Sequence, residues 1–363
     1  MSFLDGIRVL EIADGLTDFG GRILSELGAD VTVVGPETAP APARDIARHH
    51  GKTRLEGDDP EAVRRLAAGA DIILDGQRHG DRFQLGADLP ETCIHVKVAS
   101  FSPDGPYAGL PATDLTLFAM SGLMHVTGEP DGPPLKFPGQ QAYALTGIQA
   151  ATVALMALYA RRRTGKGQTA DLSAFQSVTL ANYREAVMYQ WSGRVGRRQG
   201  NMLVRGKSGV RQIWPCKDGY VTWSMIDNPS MMRAVVDVMA RQGAAGELAD
   251  IDWDNILVAD TPQETIDRWQ SVFARFFADH PREQLGQWSL DHGWGLSVIM
   301  SPEDVRNSRH LAARGLFVDI RDEITGGVAR LPGPLFRAAS PGAPRRTLSR
   351  PVPASRAVRP VTK

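Results

Sequence analysis

Cysteine is almost missing from this sequence: Cys93 and Cys216 are the only two in 363 residues, and they stand far apart. Two thiols without motif spacing argue against a disulfide framework and a thiolate zinc site, and such sparing use fits a reducing cytoplasm. Net charge is missing as well, because 41 Lys and Arg offset 41 Asp and Glu. Without a single-sign field the chain has no electrostatic means of gathering nucleic acid or an anionic membrane surface. No apolar run approaches the roughly 18 residues of a bilayer-crossing helix. The opening MSFLDGIRVLEI sets Asp5 and Glu11 among its apolar positions, unlike the basic-then-apolar leader of a secreted protein, so the expected compartment is the cytoplasm. The eight histidines are scattered, with His49-His50 the one adjacent pair, and no His/Cys/Asp set has ligand spacing, so no metal is expected. Ser173 lacks a G-x-S-x-G elbow, which removes support for serine-hydrolase chemistry. Gly15, Gly20, Gly21 and Gly28 follow the first apolar run without G-x-G-x-x-G spacing. They read as a tight strand-to-helix turn rather than a nicotinamide site.

What is present is an alternation of short apolar runs and amphipathic stretches, the pattern of a parallel α/β sheet. Strands are predicted at 7–12, 31–34, 71–74 and 93–99, and helices at 19–27, 60–68, 147–162 and just after Ser173. Past residue 195 the character changes. RRQGNMLVRGKSG reads as an exposed Gly/Arg-rich loop, and RQIWPCKDGYVTWS as a hairpin turning at Lys217-Asp218-Gly219. Amphipathic helices are expected at about 229–241, 262–279 and 281–290. The resulting division is a large domain over 1–195, a linker and hairpin over 196–225, a small domain over 226–315, and a segment over 316–363 returning to the large domain. Its closing stretch carries Pro332, Pro334, Pro341, Pro344, Pro351, Pro353 and Pro360 and cannot form regular helix.

TGKGQTADLSAFQSV, residues 164–178, resembles the active-site run TG-x-GQ-x-x-D-V/L-S of the class III CoA-transferases, the superfamily of formyl-CoA transferase, carnitine CoA-transferase and α-methylacyl-CoA racemase. LDGIRVLEI and SELGADVTVV resemble that family's first two strands, HHGKTRLE its N-R-G-K segment, and ADIILDGQRHG its A-D-V/I strand ending in N-x-R-P-G. SFSPDGPY, the long run from ATDLTLFAMSG to LKFP, Gly200-Asn201 and PCKDGYV follow in the family's order. The resemblance implies a Rossmann-like domain built from both chain ends, an inserted smaller α/β domain, and an interlocked dimer. It also implies coenzyme A or an acyl-CoA as substrate, and a carboxylic acid as acceptor.

The resemblance further implies site residues. Arg78 matches the arginine beside the nucleotide phosphates, a role that suits a guanidinium because it pairs with two oxygens at once. Phe101, Ser102, Asp104 and Gly105 match the loop over the pantetheine and thioester. Lys136 and Arg44 are further candidate CoA contacts. Asp171, the D-x-S aspartate, reads as the cap of the following helix. Five positions beyond it the family places the acid that attacks the thioester, and here that position is Gln176. An amide carries no full negative charge and cannot form the mixed anhydride. The two bases of the racemase branch are also replaced, by Thr113 and Tyr143. Three readings stay open: a CoA-transferase subunit lacking its own carboxylate, in a homodimer or a heteromer with a related subunit; an acyl-CoA lyase, hydratase or isomerase using Gln176 as an oxyanion donor, with Asp14, Asp18, His125 or Tyr143 moving the proton; and a non-catalytic acyl-CoA-binding protein.

Overall fold

The computed structural model describes residues 2–35, 42–55, 59–86, 89–321 and 328–334. The described residues fall into two compact units. The first gathers 2–125, 135–196 and those from 307 onward; the second gathers 126–134 and 197–306.

The first unit opens with β1 (Arg8–Ile12), α1 (Asp18–Glu26), β2 (Asp30–Val34), α2 (Pro42–His49), β3 (Thr53–Arg54), α3 (Pro60–Ala68), β4 (Ile72–Gly76) and β5 (Ile94–Ala99). It continues through α4 (Asp114–Met120), α5 (Gln141–Thr164), β6 (Thr169–Ser173), α6 (Ala174–Leu180) and α7 (Tyr183–Ser192). All six strands pair in parallel in the order β3-β2-β1-β4-β5-β6. The central strands are buried on both faces and so read as unbroken apolar runs such as Ile72-Ile73-Leu74. The chain winds outward from β1 to β3, then returns to β4 on the other side of β1. The β1/β4 boundary is therefore the topological switch point, where an open parallel sheet leaves a crevice at the carboxyl ends of its strands.

Local chemistry explains the element ends. Asp59 caps α3 by accepting from the amides of Glu61 and Ala62, with Pro60 at the first helical position. Gly165, at φ +72°, closes α5 in the left-handed conformation. Helix α5 is long and apolar enough to cross a membrane by length and composition, because its Ala-rich run is only thinly interrupted by polar residues. Half of that stretch is buried within this unit, where it packs on α1 and β5. Gly20 of α1 faces Gly147 of α5 so closely that a Cβ at Gly20 would lie 2.8 Å from the Gly147 carbonyl oxygen.

In the second unit β7 (Met202–Arg205) pairs with β8 (Ser208–Arg211), and β9 (Ile213–Cys216) with β10 (Gly219–Thr222). Three helices follow, α8 (Pro229–Arg241), α9 (Gln263–Ala278) and α10 (Arg282–His292), and then β11 (Ser297–Val298) on the edge of β10. Residues 202–209, expected as loop, thus lie within a hairpin. Gly206, at φ +58°, supplies the left-handed turn that a two-residue connection needs. Trp214, Trp223, Phe273, Phe276, Phe277 and Trp294 fill the core of this unit. A last hairpin, β12 (Phe317–Arg321) and β13 (Val328–Pro332), belongs to the first unit. The proline-rich stretch beyond residue 334 lies outside the described residues.

Candidate active site

At the switch point the carboxyl ends of β1 and β4 open into a cavity of about 610 Å³. The turn after β1 supplies Asp14, Gly15 and Asp18, the turn after β4 supplies Arg78 and His79, α2 supplies Arg48 and His49, and the start of α5 supplies Gln140 and Tyr143. Thr17 holds the first turn by donating from Oγ1 to the Ile12 carbonyl at 3.0 Å. Asp14 accepts from the Leu16 amide at 2.9 Å and from the Arg78 amide at 2.6 Å, tying both turns together. Gly15 adopts φ +99°, and a Cβ there would lie 3.1 Å from the Tyr143 ring.

Arg78 reaches across that ring, with its Cζ 5.6 Å from the centroid, and donates from Nη1 to the Tyr143 hydroxyl at 2.7 Å. The hydroxyl in turn donates to the Ala112 carbonyl at 3.3 Å. Arg48 pairs with Asp18 at 3.2 Å and also contacts Gln140. Beneath the cavity Lys52 and Glu11 form an ion pair at 2.7 Å with both side chains wholly buried. Lys52 also donates to the Asp18 carbonyl at 2.8 Å. Gly21 makes room for this pair, since a Cβ there would lie 1.8 Å from Glu11 Oε2.

Burial shapes the titration of these acids. Loss of hydration pushes the Asp14 carboxyl up to about 6, against the opposing pull of the Arg78 and Leu16 amides. Burial pushes Glu11 above the usual carboxylate range too, with the Lys52 ammonium opposing the shift. The cavity therefore combines cationic groups with carboxylates that are already engaged inside the wall. Such a surface can receive an anion, because Asp18 and Asp14 are matched by Arg48 and by backbone amides respectively.

Of the residues singled out from sequence, Arg78, Asp14, Asp18 and Tyr143 converge here. The buried Phe101 packs on the rings of Tyr107 and Phe175, at 5.3 and 5.7 Å between centroids. It thereby sets the loop after β5 against the helix that carries Gln176. Ser102 accepts from the Asp104 amide at 3.4 Å, and Asp104 and Gly105 are exposed. Lys136 donates to the Gly139 carbonyl at 2.7 Å and lies 3.6 Å from Asp114. Arg44 falls on α2, and its side chain lies outside what the structure describes.

Gln176 sits exposed in the first turn of α6, its amide donating to Ser173 Oγ at 3.3 Å. Ser173, not Asp171, is therefore the helix cap. Asp171 pairs within β6 opposite Lys97 of β5, and the strand runs on through Ser173 before the helix begins. Thr113 caps α4 by accepting from the Thr116 amide at 3.2 Å, and His125 is exposed and does not line the cavity. The sequence reading passed over Glu11, Lys52, Arg48 and Gln140 as functional groups. The one available signal was a charge inside each of two otherwise structural segments, LEI and HHGKT. Among the described residues no three His, Cys, Asp or Glu side chains cluster to hold a metal.

An open parallel sheet whose switch point gathers arginines and carboxylates around a crevice is the kind of α/β frame in which ligands are bound. The chain belongs to CoA-transferase family III, whose sequence profile matches residues 4–355. It is 26% identical over 351 residues to the succinyl-CoA–D-citramalate CoA-transferase of Chloroflexus aurantiacus, covering 90% of this chain and 85% of that one. Over 261 residues it is 28% identical to the BbsE subunit of the succinyl-CoA:(R)-benzylsuccinate CoA-transferase of Thauera aromatica, covering 70% of this chain and 61% of that subunit. A solved CaiB/BaiF family protein from Brucella suis superimposes with a TM-score of 0.77 at 25% identity, over 93% of each chain.

Proposed function

We propose that this chain binds an acyl-CoA and takes part in moving CoA to a carboxylic acid as a subunit without its own nucleophilic carboxylate. The observation that carries the reading is Gln176 at the position of the family's acid, in the first turn of α6 and exposed. A carboxylate there could attack the thioester carbonyl, form a mixed anhydride and release CoA thiolate. The glutamine amide can donate a hydrogen bond to the carbonyl oxygen but cannot take the acyl group. The remaining frame supports retained ligand binding: Arg78 and Arg48 at the sheet crevice suit phosphate oxygens, and the loop carrying Phe101 leans on the helix carrying Gln176.

An assembly with a second, related subunit would supply the carboxylate. Helix α7 supports an assembly, since none of its residues is buried although Tyr183, Val187, Tyr189 and Trp191 all lie on it exposed. A ten-residue helix with no buried residue gains little from propensity alone, so a covering surface is what would hold it. The homologous subunit named BbsE is itself part of a larger enzyme by its description.

Succinyl-CoA, named as donor in several relatives, is the first substrate to test. Purified alone and offered succinyl-CoA with a panel of carboxylic acids, the chain should show no CoA transfer, and Gln176→Asp should gain it. Transfer by the unmodified chain at ordinary enzyme rates would overturn the reading. Loss or gain of water on the acyl group would replace it with acyl-CoA lyase or hydratase chemistry.

A further inference from the structure

We propose that Asp14 is a positioning residue that aims Arg78 into the anion cavity by clamping the turns after β1 and β4 together. The inference rests on the reading above that this cavity takes the CoA phosphates. The two turns lie far apart in sequence, and Asp14 spans them with one carboxylate: Oδ1 accepts from the Leu16 amide at 2.9 Å, and Oδ2 from the Arg78 amide at 2.6 Å. A carboxylate can take both donors at once, whereas an amide side chain has one acceptor oxygen and turns its own N–H groups toward the other donor.

The surroundings are shaped for this clamp. Gly76, the last residue of β4, leaves room for the carboxyl group and for the neighbouring strand; an added Cβ would lie 2.5 Å from Asp14 Cγ and 2.5 Å from the Ile12 carbonyl oxygen. Gly15 lets the Tyr143 ring approach the same turn, and Tyr143 then receives the Arg78 guanidinium. The backbone of Arg78 is thus fixed by Asp14 and its side chain by Tyr143. Asp14 does not face outward as a free negative charge against the phosphates. Its own position is held by the groups it binds, so removing it frees the Arg78 turn.

A charge argument predicts the opposite sign, which makes the proposal testable. If Asp14 acted only as a negative charge in the wall, neutralising it would tighten anion binding. As a clamp, it weakens binding when neutralised. The charged and titratable groups around it are Glu11 on β1, Asp18 on α1, Arg48 and His49 on α2, Arg78, His79, Asp81 and Arg82 after β4, and Tyr143 on α5. The raised pKa of Asp14 brings its protonation into an accessible range, so acid should act as the neutral variant does.

The test is calorimetric titration of the full chain with free CoA at pH 7.5 and 5.5, for the wild type, Asp14→Asn, Gly76→Ala and Arg78→Ala. The clamp predicts that Asp14→Asn weakens CoA about tenfold at pH 7.5, the scale of one lost hydrogen bond to a charged group. It also predicts that the wild type loses more affinity than Asp14→Asn on acidification. Comparing the two profiles cancels the titration of the CoA phosphates, which ionise near pH ~6, and of wall groups common to both proteins. Gly76→Ala, whose Cβ would press on both the Asp14 carboxyl and the Ile12 carbonyl, should also weaken CoA. Unchanged or tighter binding by Asp14→Asn beside a weakened Arg78→Ala overturns the clamp and leaves the cavity reading intact. Failure of the wild type to bind CoA at either pH overturns both.

Discussion

The two units bury polar groups in opposite ways. Among the described residues every buried ionisable Asp, Glu, Lys, Arg or His side chain lies in the first unit: Glu11, Asp18, Arg22, Lys52, Asp75, His95 and Asp114. In the second unit the buried polar side chains are uncharged, namely Ser208, Gln270 and Ser289. Its core is a cluster of tryptophans and phenylalanines in which Trp214 donates to the Trp223 carbonyl at 2.7 Å and Trp223 to the Trp294 carbonyl at 3.1 Å. Aromatic rings bury large areas at little polar cost, whereas a buried ion pair rarely improves on well-packed apolar groups. Several of the first unit's buried charges, Glu11, Asp18 and Lys52, lie directly beneath or in the wall of the cavity.

The largest break in this contrast should come from Lys52→Met. It strands the Glu11 carboxylate in a wholly buried site, a loss of about 3–5 kcal/mol when one partner of a buried pair is removed. Urea unfolding at pH 8 should show that loss, and it should shrink at pH 5, where Glu11 can take a proton. An equal loss at both pH values would mean that the charge on Glu11 is not what Lys52 stabilises. In the second unit Phe277→Ala should cost about 3–5 kcal/mol through its cavity, without moving the CoA affinity of the first unit. A parallel loss of affinity would show that the units are not separable in function.

A smaller effect concerns pH. Asp14 binds its proton more tightly folded than unfolded, with its value raised from 3.8 to about 6. The folded chain therefore holds more protons between those values, so this contribution to stability is complete below about 4 and is lost as pH rises through about 6. Asp14→Asn should flatten that part of a melting-temperature profile, and a profile still sloping by the same amount would assign the titration elsewhere. Smallest of all is Arg268→Ala, which removes an exposed pair with Glu247 at 2.9 Å. Its cost should stay under about 1 kcal/mol in the same melts.

How much of this was legible in advance depended on the range of the interaction. Elements such as 60–68 and 229–241 carried their own signals, a proline at the first turn and an apolar stripe, and fold where the periodicity places them. Arg78 and Gln176 stood out as candidates because they sit inside recognisable local motifs. The Asp171 cap was misread because helix signals cannot show that β6 keeps pairing with β5 through Ser173. Glu11 with Lys52, and Asp14 with the Arg78 amide, join residues distant in sequence through the sheet. Nothing periodic links such partners, so only the folded chain reveals that Asp14 and Asp18 are engaged in the wall.

The central claim, that the first unit keeps a CoA site while Gln176 has removed the nucleophile, meets its most direct test in the intact mass of the chain after incubation with succinyl-CoA. The unmodified chain should emerge at its own mass, and Gln176→Asp should carry an added acyl or CoA group on residue 176. A covalent adduct on any carboxylate of the unmodified chain would contradict the account.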